Sequence, residues 1–125
     1  METEVKFKVE YTEEAADFLR SLDSKISAKI IQVITIASLT NDPERFKKLQ
    51  GTHIWEFRCL YNRIHYRLLA FWDTERHSVV IATHGFIKKT QKTPAKEIER
   101  AEQIRSVYFK TKGNYEDHNQ RNIIR

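Results

Sequence analysis

The chain has 125 residues, one cysteine and a formal net charge of +5, and its sequence pI is about 9.4. Its length suits one domain, and its positive charge favours acidic partners, nucleic acid first, although a merely basic soluble protein would have the same composition. The lone Cys59 excludes an intrachain disulfide, and we expect an intracellular protein with no signal peptide and no membrane-spanning segment.

The first third of the chain predicts a strand followed by two helices. Residues 5–11 alternate apolar and charged side chains, as a half-buried strand does. Thr12 stands where a helix N-cap is expected, because two acidic residues follow it. Asp23 or Ser24 can cap a second helix, which ends at residues 41–43. The two helices form an antiparallel hairpin whose apolar faces need a sheet to cover.

A three-stranded meander and a helix follow the basic connector at residues 44–52. The segments HIWEFRCLY, IHYRLLAFW and VVIATHGF are rich in aromatic and branched side chains, as strands prefer. Asn62 and Arg63 predict a two-residue hairpin turn, and Thr93 can cap a final helix with Pro94 at its first position. The predicted order is β-α-α-β-β-β-α. This is an α+β fold with an antiparallel sheet packed by an N-terminal helical hairpin and a C-terminal helix.

The end of the sequence, KTKGNYEDHNQRNIIR, is polar and aperiodic. Such a composition predicts a frayed tail. We therefore divide the chain into a single domain over residues 1–111 and a C-terminal tail over residues 112–125.

The two-residue turn fixes the register of the first strand hairpin, because it pairs Tyr61 with Ile64. The side chains on the core side are then Trp55, Phe57, Cys59, Tyr66, Leu68 and Ala70. On the other side Arg58 lies directly opposite Arg67, and two guanidinium groups so placed repel each other. An anion between the two heads would remove that cost. Two alternatives stay open: both side chains splay into water, or Glu56 neutralises one of them.

The third strand extends this row if Trp72 pairs with Val79. His84 would then lie beside Arg67, with the lysines at 88 and 89 just beyond it. In this register Val79, Ile81 and Thr83 face the core, and Val80, Ala82, His84 and Phe86 face the arginines. The longer loop before this strand could shift the pairing by two residues, so the face is better defined than the neighbour.

The segment HGFIKKTQKTP, residues 84–94, holds three lysines and no carboxylate. A loop that only joins a strand to a helix does not need that charge, so we interpret it as a phosphate-binding edge. Lys88 and Lys89 join Arg58, Arg67 and His84 as candidate catalytic residues. Lys92 in this loop and Lys47 and Lys48 in the basic connector are candidates for binding the RNA backbone.

Such a set of side chains suits RNA cleavage without a metal. The reaction needs a base for the 2′-hydroxyl, cations around the phosphate and an acid for the departing 5′-oxygen. Guanidinium groups supply the charge, and a histidine or a lysine with a lowered pKa can move protons near neutral pH. For His84 a purely structural role is the alternative, and His53 and His65 are weaker candidates. A zinc site is not expected, because only one cysteine is present and the acids lie mostly on predicted helices and loops.

The segments LQGTHIWEFRCLYNRIHYRLLAFWD and IATHGFIKKTQKTPAKEIERAEQIRSVYF resemble the RelE/HigB toxin superfamily, most closely its phage-derived, HigB-like branch. The resemblance covers the chain from Val5 to about Phe109, and EFR…YR, HGFIKKTQKTP and EIERA are specific in combination. It implies a small α+β toxin of a type II toxin–antitoxin module. Members of this superfamily are mostly ribosome-dependent endoribonucleases that cut mRNA in the decoding site without a metal or another cofactor.

The resemblance also implies partners and roles. A cognate antitoxin, often a helix-turn-helix DNA-binding protein, neutralises such toxins, which otherwise act on mRNA at the ribosome in the cytoplasm. Arg67 matches the sheet arginine that contacts the scissile phosphate, Arg58 matches a second basic strand position, and Lys88 and Lys89 match the basic positions after the last strand. Many members rely on a C-terminal tyrosine or histidine, and Tyr108, inside the predicted last helix, is not assigned to that role.

Two other hypotheses stay open beside the endoribonuclease. One is a non-catalytic protein on the same fold, either an inactivated toxin or a nucleic-acid-binding module, since Arg58 and Arg67 would hold phosphate in either case. His84 facing the arginines favours the enzyme, whereas a buried His84 favours the binder. The other is a purely structural or antitoxin-like interaction domain, which the basic face disfavours.

Overall fold

The computed structural model describes residues 5–122, with the side chains described through residue 112. Within these residues a five-stranded sheet and three helices confirm the predicted α+β class. In chain order the elements are β1 (Lys8–Tyr11), α1 (Glu13–Arg20), α2 (Ser24–Thr40), β2 (Phe46–Lys48), β3 (Trp55–Tyr61), β4 (Ile64–Trp72), β5 (Val79–Lys88) and α3 (Ala95–Asn122).

The sheet has the strand order β1-β5-β4-β3-β2. It differs from the predicted antiparallel sheet in two ways. The first strand, β1, pairs with β5 in parallel. The helical hairpin carries the chain from β1 to β2 at the opposite edge, and the antiparallel run from β2 to β5 then brings β5 beside β1. The connector that was predicted to be a loop contains the short strand β2, which pairs with β3 and buries Phe46 opposite Phe57.

The helical hairpin begins and ends where the sequence predicts. The side chain of Thr12 accepts a hydrogen bond from the backbone nitrogen of Ala15 at 3.0 Å. Asp23 caps α2 in the same way, through the backbone nitrogen of Lys25 at 2.8 Å. Helix α2 ends at Asn41, whose φ of 58° places it in the left-handed region that asparagine tolerates.

The β3–β4 hairpin has the predicted register throughout. Both turn residues, Asn62 and Arg63, have positive φ values of 51° and 67°. This is the turn geometry whose twist matches that of the flanking strands. The alternation predicted on the two sides of this hairpin is therefore confirmed.

The predicted register of β5 is wrong for two reasons: the pairing of the strand starts one residue later, with Trp72 opposite Val80, and the strand contains an irregularity at Thr83. Ala82 pairs with Ala70 and His84 with Leu69, so Thr83 has no partner opposite it. An extra residue of this kind reverses the faces on one side of it. His84 and Phe86 lie on the arginine face as predicted, whereas Val80 and Ala82 lie on the opposite face. Phe86, rather than His84, is the residue opposite Arg67.

The sheet is covered on both faces. The hairpin of α1 and α2 packs over the core that includes Phe7, Ile30, Phe57, Tyr66, Leu68 and Val80. Helix α3 packs over the second core, formed by Ile54, Leu69, Phe71, Val79, Ile81 and Ala101. This second core lies on the same face of the sheet as the arginines. Helix α3 covers the second core but not the part of that face that carries the arginines.

Helix α3 continues past the boundary predicted at Lys112. The Lys112 side chain is buried, and its Nζ lies 2.6 Å from Oδ2 of Asp73. Lys112 is therefore part of the folded unit, and the helical backbone continues to Asn122. The division of the chain into a domain and a tail stays a prediction. No helix among the described residues is long and apolar enough to cross a membrane.

Candidate nucleic-acid interface

A basic cleft opens on the part of the sheet face that α3 leaves uncovered. Its volume is about 500 Å³, and it is lined by Arg58, His65, Arg67, Lys88, Lys89, Thr90 and Gln91. These residues come from β3, β4, β5 and the loop after β5. The lining contains no carboxylate that reaches the surface of the cleft, so the cleft is suited to an anion.

Arg58 and Arg67 lie directly opposite each other on neighbouring antiparallel strands, as predicted. Glu56, buried on the same face, lies between them. Its Oε1 atom is 3.6 Å from Nε of Arg58 and 3.6 Å from Nε of Arg67. A carboxylate of the chain therefore relieves the repulsion for which an external anion was predicted. Of the two alternatives, arginines that splay into water or arginines neutralised by Glu56, the structure agrees better with the second.

The other oxygen of Glu56 is held by the loop before α3. Oγ1 of Thr93 donates a hydrogen bond of 2.7 Å to Oε2 of Glu56. Helix α3 begins at Ala95, and its first backbone hydrogen bonds go to the oxygen of Pro94. Pro94 therefore stands immediately before the first residue of α3, so the predicted cap at Thr93 and the predicted first helical position of Pro94 are each one residue too early. The Thr93 hydroxyl donates to the buried carboxylate.

Arg67 is a buried cation at the floor of the cleft, with 4% of its surface exposed. Burial lowers the pKa of its guanidinium, although the nearby Glu56 carboxylate opposes this shift. Its Nη1 donates a hydrogen bond to the backbone oxygen of Tyr66 at 3.2 Å. Among the described side chains, Nε of Arg67 is a buried nitrogen that has no hydrogen-bond partner. An oxygen anion in the cleft would satisfy such a donor.

Lys88 and His65 face each other across β4 and β5 beside the arginines. Burial, followed by the positive charge of Arg67, lowers the pKa of the Lys88 ammonium. A lysine with a lowered pKa exchanges protons more readily near neutral pH. Lys89 is exposed and lines the same cleft.

His84 does not line the cleft. It is 4% exposed, its Nε2 lies 2.9 Å from Oε1 of Glu97, and its Nδ1 lies 3.1 Å from Oγ1 of Thr83. The predicted position beside Arg67 is wrong because β5 pairs one residue further along than predicted, with Trp72 opposite Val80, and the irregularity at Thr83 adds a second residue, which places His84 opposite Leu69. In that position the ring lies under the first turns of α3.

The three lysines predicted to bind RNA backbone are dispersed. Lys47 pairs with Glu56, so its side chain projects from the arginine face of the sheet. Lys48 pairs with Trp55, so its side chain projects from the opposite face. Both are exposed at the β2 edge, where they line a separate groove of about 400 Å³ with Trp55. Lys92 is exposed in the loop before α3 and does not line the cleft.

Tyr108 belongs to a second polar cluster, which is centred on the buried Asp73. The tyrosine hydroxyl donates to Oδ2 of Asp73 at 2.6 Å. Nζ of Lys112 lies 2.8 and 2.6 Å from the two Asp73 oxygens, and Nε of Arg76 lies 3.1 Å from Oδ2. Burial raises the pKa of Asp73, but the hydrogen bonds from Lys112 and Tyr108 together lower it well below its usual value. This cluster attaches α3 to the end of β4.

Two residues of the site, His65 and Glu56, were not among the predicted site residues. His65 faces the cleft, and its pairing with Leu60 on the arginine side of the hairpin already indicated this position. Glu56 follows from the same alternation, since it stands two residues before Arg58 on β3. Among the side chains that the structure describes, no three His, Cys, Asp or Glu residues form a group that could hold a metal ion.

Comparison with protein families places this geometry in a known group. Residues 17–106 match the model of the family described as "Phage derived protein Gp49-like (DUF891)". The chain belongs to the Gp49-like family. The matched segment includes every residue that lines the basic cleft. No curated protein sequence is significantly similar to the chain.

Solved structures of RelE toxins share the fold of this Gp49-like protein. The toxin–antitoxin complex RelBE2 of Mycobacterium tuberculosis matches with a TM-score of 0.52 and 24% identity, covering 67% of this chain and 100% of that one. The intact RelBE toxin–antitoxin complex of E. coli matches with a TM-score of 0.52 and 18% identity, over 67% and 99% of the two chains. A mutant of the E. coli toxin RelE in the free state matches with a TM-score of 0.55 and 18% identity, over 78% and 94%. The Gp49-like chain therefore has a RelE-like fold, as its sequence predicted.

Proposed function

We propose that this Gp49-like protein is the toxin of a type II toxin–antitoxin module, and that it cleaves mRNA on the ribosome without a metal. The observation that carries the proposal is the opposed pair of Arg58 and Arg67 at the floor of an open basic cleft. The RelE-like fold supports it, because two of the similar structures are complexes of a toxin with its antitoxin.

In this proposal the cleft holds the scissile phosphate. Arg67 and Arg58 stabilise the charge that grows on the phosphate oxygens as the 2′-oxygen attacks phosphorus and the bond to the 5′-oxygen breaks. Lys88 is the proposed base for the 2′-hydroxyl proton, because its pKa is lowered and it lies beside Arg67. His65, which pairs with Lys88 and lines the same cleft, is the proposed acid that returns a proton to the 5′-oxygen.

The proposed partner in the cytoplasm is a cognate antitoxin with a helix-turn-helix domain. A segment of the antitoxin with acidic or apolar side chains would cover the basic cleft and so prevent contact with RNA. Expression of the chain with the product of its neighbouring gene tests this partner by co-purification. A chain that is soluble alone, causes no toxicity and forms no complex would count against the module.

The burial of His84 favours a second candidate, a non-catalytic protein that binds nucleic acid with the same cleft. The histidine that could have transferred a proton at the arginine row contacts Glu97 instead. A binder needs only the cations of the cleft, whereas the enzyme needs Lys88 and His65 to move protons. The two candidates therefore differ in what a proton-transfer variant does.

Induced expression of the chain alone tests both candidates, with growth and mRNA cleavage as the two measurements. The endoribonuclease predicts growth arrest with cut mRNA, and loss of both in Arg67→Ala. Arg20→Ala, which removes an exposed arginine on α1, is the matched control and should behave as the parent chain. Growth arrest or RNA binding without new RNA ends would favour the binder.

A further inference from the structure

Glu56 lies beside the guanidinium groups of the two arginines that line the cleft, and these are the groups that a bound phosphate would contact. Its carboxylate is 3% exposed, with one oxygen 3.6 Å from each arginine Nε and the other bound by Thr93. Carboxylate and phosphate oxygens bind the same guanidinium donors, so the two anions compete for them. The loop that carries Thr93 also carries Thr90 and Gln91 of the cleft wall.

We propose that Glu56 is an intramolecular competitor for phosphate. Its carboxylate occupies the pair Arg58 and Arg67 in the free protein, and a phosphate binds there only by displacing it. This inference rests on the proposed function, because it takes a phosphate of RNA as the ligand of the cleft. It adds that the chain itself sets the affinity of that site.

The unbonded Nε of Arg67 shows that this contact with Glu56 is incomplete. A carboxylate at 3.6 Å balances the charge of the guanidinium but lies beyond hydrogen-bond distance. A buried donor without a partner is costly, and a ligand oxygen that comes closer satisfies it. Glu56 is therefore close enough to balance the charge of Arg67 but too far away to accept a hydrogen bond from its Nε. A phosphate oxygen that accepts this bond can displace the carboxylate.

The competition lowers the affinity of the site for a strand and for a single phosphate by the same factor, so that only a ligand with further contacts stays bound at low concentration. Displacing Glu56 costs the same for every phosphate, but a small anion gains only the two arginines in return. An RNA strand also contacts Lys88 and Lys89 in the same cleft. Glu56 therefore lowers the occupancy of the cleft by small anions at concentrations at which a strand still binds.

The test is calorimetric titration of the full chain with inorganic phosphate. Glu56→Gln keeps the shape of the side chain and removes its charge. We expect phosphate to bind about tenfold more tightly, or about 1.4 kcal/mol, which one interaction with a charged group can supply. The matched control is Glu44→Gln, which removes an exposed carboxylate beside Arg58. It should change the affinity less than about twofold, because salt screens exposed charges.

Thr93→Val keeps the charge and removes the hydrogen bond that holds the carboxylate. It should bind phosphate roughly threefold more tightly, as the loss of one modest hydrogen bond implies. This variant decides the question if Glu56→Gln does not fold. Phosphate binding that is unchanged or weaker in Glu56→Gln, or in Thr93→Val if the first variant is unfolded, overturns the inference.

Binding of an uncleavable 2′-O-methyl oligoribonucleotide of about ten residues tests the proposed function separately. The parent chain should bind it, and Arg58→Ala should weaken the binding. An oligonucleotide that binds Arg58→Ala as tightly as the parent would count against the cleft as an RNA site. Weaker binding by Arg58→Ala together with unchanged phosphate binding by Glu56→Gln would keep the RNA site and reject only the competition.

Discussion

Nε2 of His84 lies 2.9 Å from Oε1 of Glu97, and this contact joins β5 to the first turns of α3. The two side chains are 5% and 20% exposed. The pair therefore holds the first turn of α3 against β5, beside the wall of the basic cleft. His84 has this role without reaching the cleft itself.

His84→Ala should lower stability more than it lowers RNA cleavage. The free energy of unfolding should fall by about 1–3 kcal/mol, because a buried hydrogen-bonding group loses its partner. RNA cleavage should fall less than about threefold, whereas loss of a proton-transfer group costs on the order of 10²–10⁴. Urea unfolding and the cleavage assay measure the two effects.

His53→Ala is the matched control, because His53 contacts Glu102 at 3.1 Å but is 63% exposed. It should change stability by less than about 0.5 kcal/mol. A cleavage rate that falls on the order of 10² in His84→Ala, with stability unchanged, would show that His84 takes part in the chemistry.

Arg67→Ala should remove cleavage while ribosome binding largely survives. A preorganised donor aimed at the growing charge is worth on the order of 10²–10³ in rate. Arg67→Lys keeps the charge and loses the planar fork, so it should recover only part of the rate. The assay compares mRNA cleavage with ribosome binding for each variant. Cleavage at the parental rate by Arg67→Ala would refute the phosphate-stabilising role.

The double variant Lys88→Ala, Lys89→Ala separates RNA binding from chemistry. If Lys88 is the proposed base, cleavage falls beyond what weaker binding explains, and it recovers in Lys89→Ala alone. Each lysine that contacts a phosphate of a single strand contributes roughly 0.7 to the salt dependence of log affinity. Binding at several salt concentrations therefore counts the contacts. A salt slope equal to that of the parent chain would exclude phosphate contacts by both lysines.

Asp73→Asn should be strongly destabilising, because it leaves the Lys112 ammonium without its buried counter-charge. The side chains of Asp73 and Lys112 are 0% and 8% exposed. Breaking such a pair typically costs about 3–5 kcal/mol. Asp17→Asn is the control, since its partner Arg20 and Asp17 itself are 65% and 62% exposed. It should cost less than about 1 kcal/mol. Equal losses in the two variants would mean that burial does not strengthen the Asp73 pair.

The same carboxylate should give the protein an acid-dependent stability. In the folded protein the pKa of Asp73 is lower than its ordinary value of 3.8. Between these two pKa values the unfolded chain therefore binds more protons than the folded chain. The stabilisation is present above about pH 4 and is lost as the pH falls toward the folded-state pKa. Unfolding followed between about pH 5 and pH 2 should show a shallower dependence for Asp73→Asn than for the parent chain.

Gly85→Ala should destabilise the contact between β5 and α1. A β-carbon at this position would overlap the ring of Phe18. Overpacking of this kind costs about 1–3 kcal/mol. Phe18→Leu makes room, so the double variant should lose less stability than the sum of the two single variants. Strict additivity in thermal unfolding would contradict the overlap.

The β3–β4 hairpin was predictable because its turn determines everything around it. Once Asn62 and Arg63 form a two-residue turn, alternation alone places Arg58 opposite Arg67. The caps at Thr12 and Asp23 were equally local, since each depends on a side chain two or three residues from the atoms it binds. Local chemistry of this kind can be deduced from the sequence.

The position of His84 was not predictable in the same way. The extra residue at Thr83 is buried, and its hydroxyl donates to the backbone oxygen of Leu69 on β4. That contact depends on the neighbouring strand, so the pattern VVIATHGF by itself does not indicate it. The short strand β2 was not predicted for a similar reason, because Phe46 is buried through the pairing of β2 with β3.

The parallel pairing of β1 with β5 has a consequence for biosynthesis. Oγ1 of Thr12, just after β1, bonds the backbone oxygen of Thr83, which is 71 residues later in the chain. Contacts between such distant segments form late and slowly in folding. The strand β5 also supplies Lys88 to the cleft. An emerging polypeptide that stops before β5 therefore has neither the five-stranded sheet nor a complete cleft, and under the proposed function a truncated translation product should be harmless.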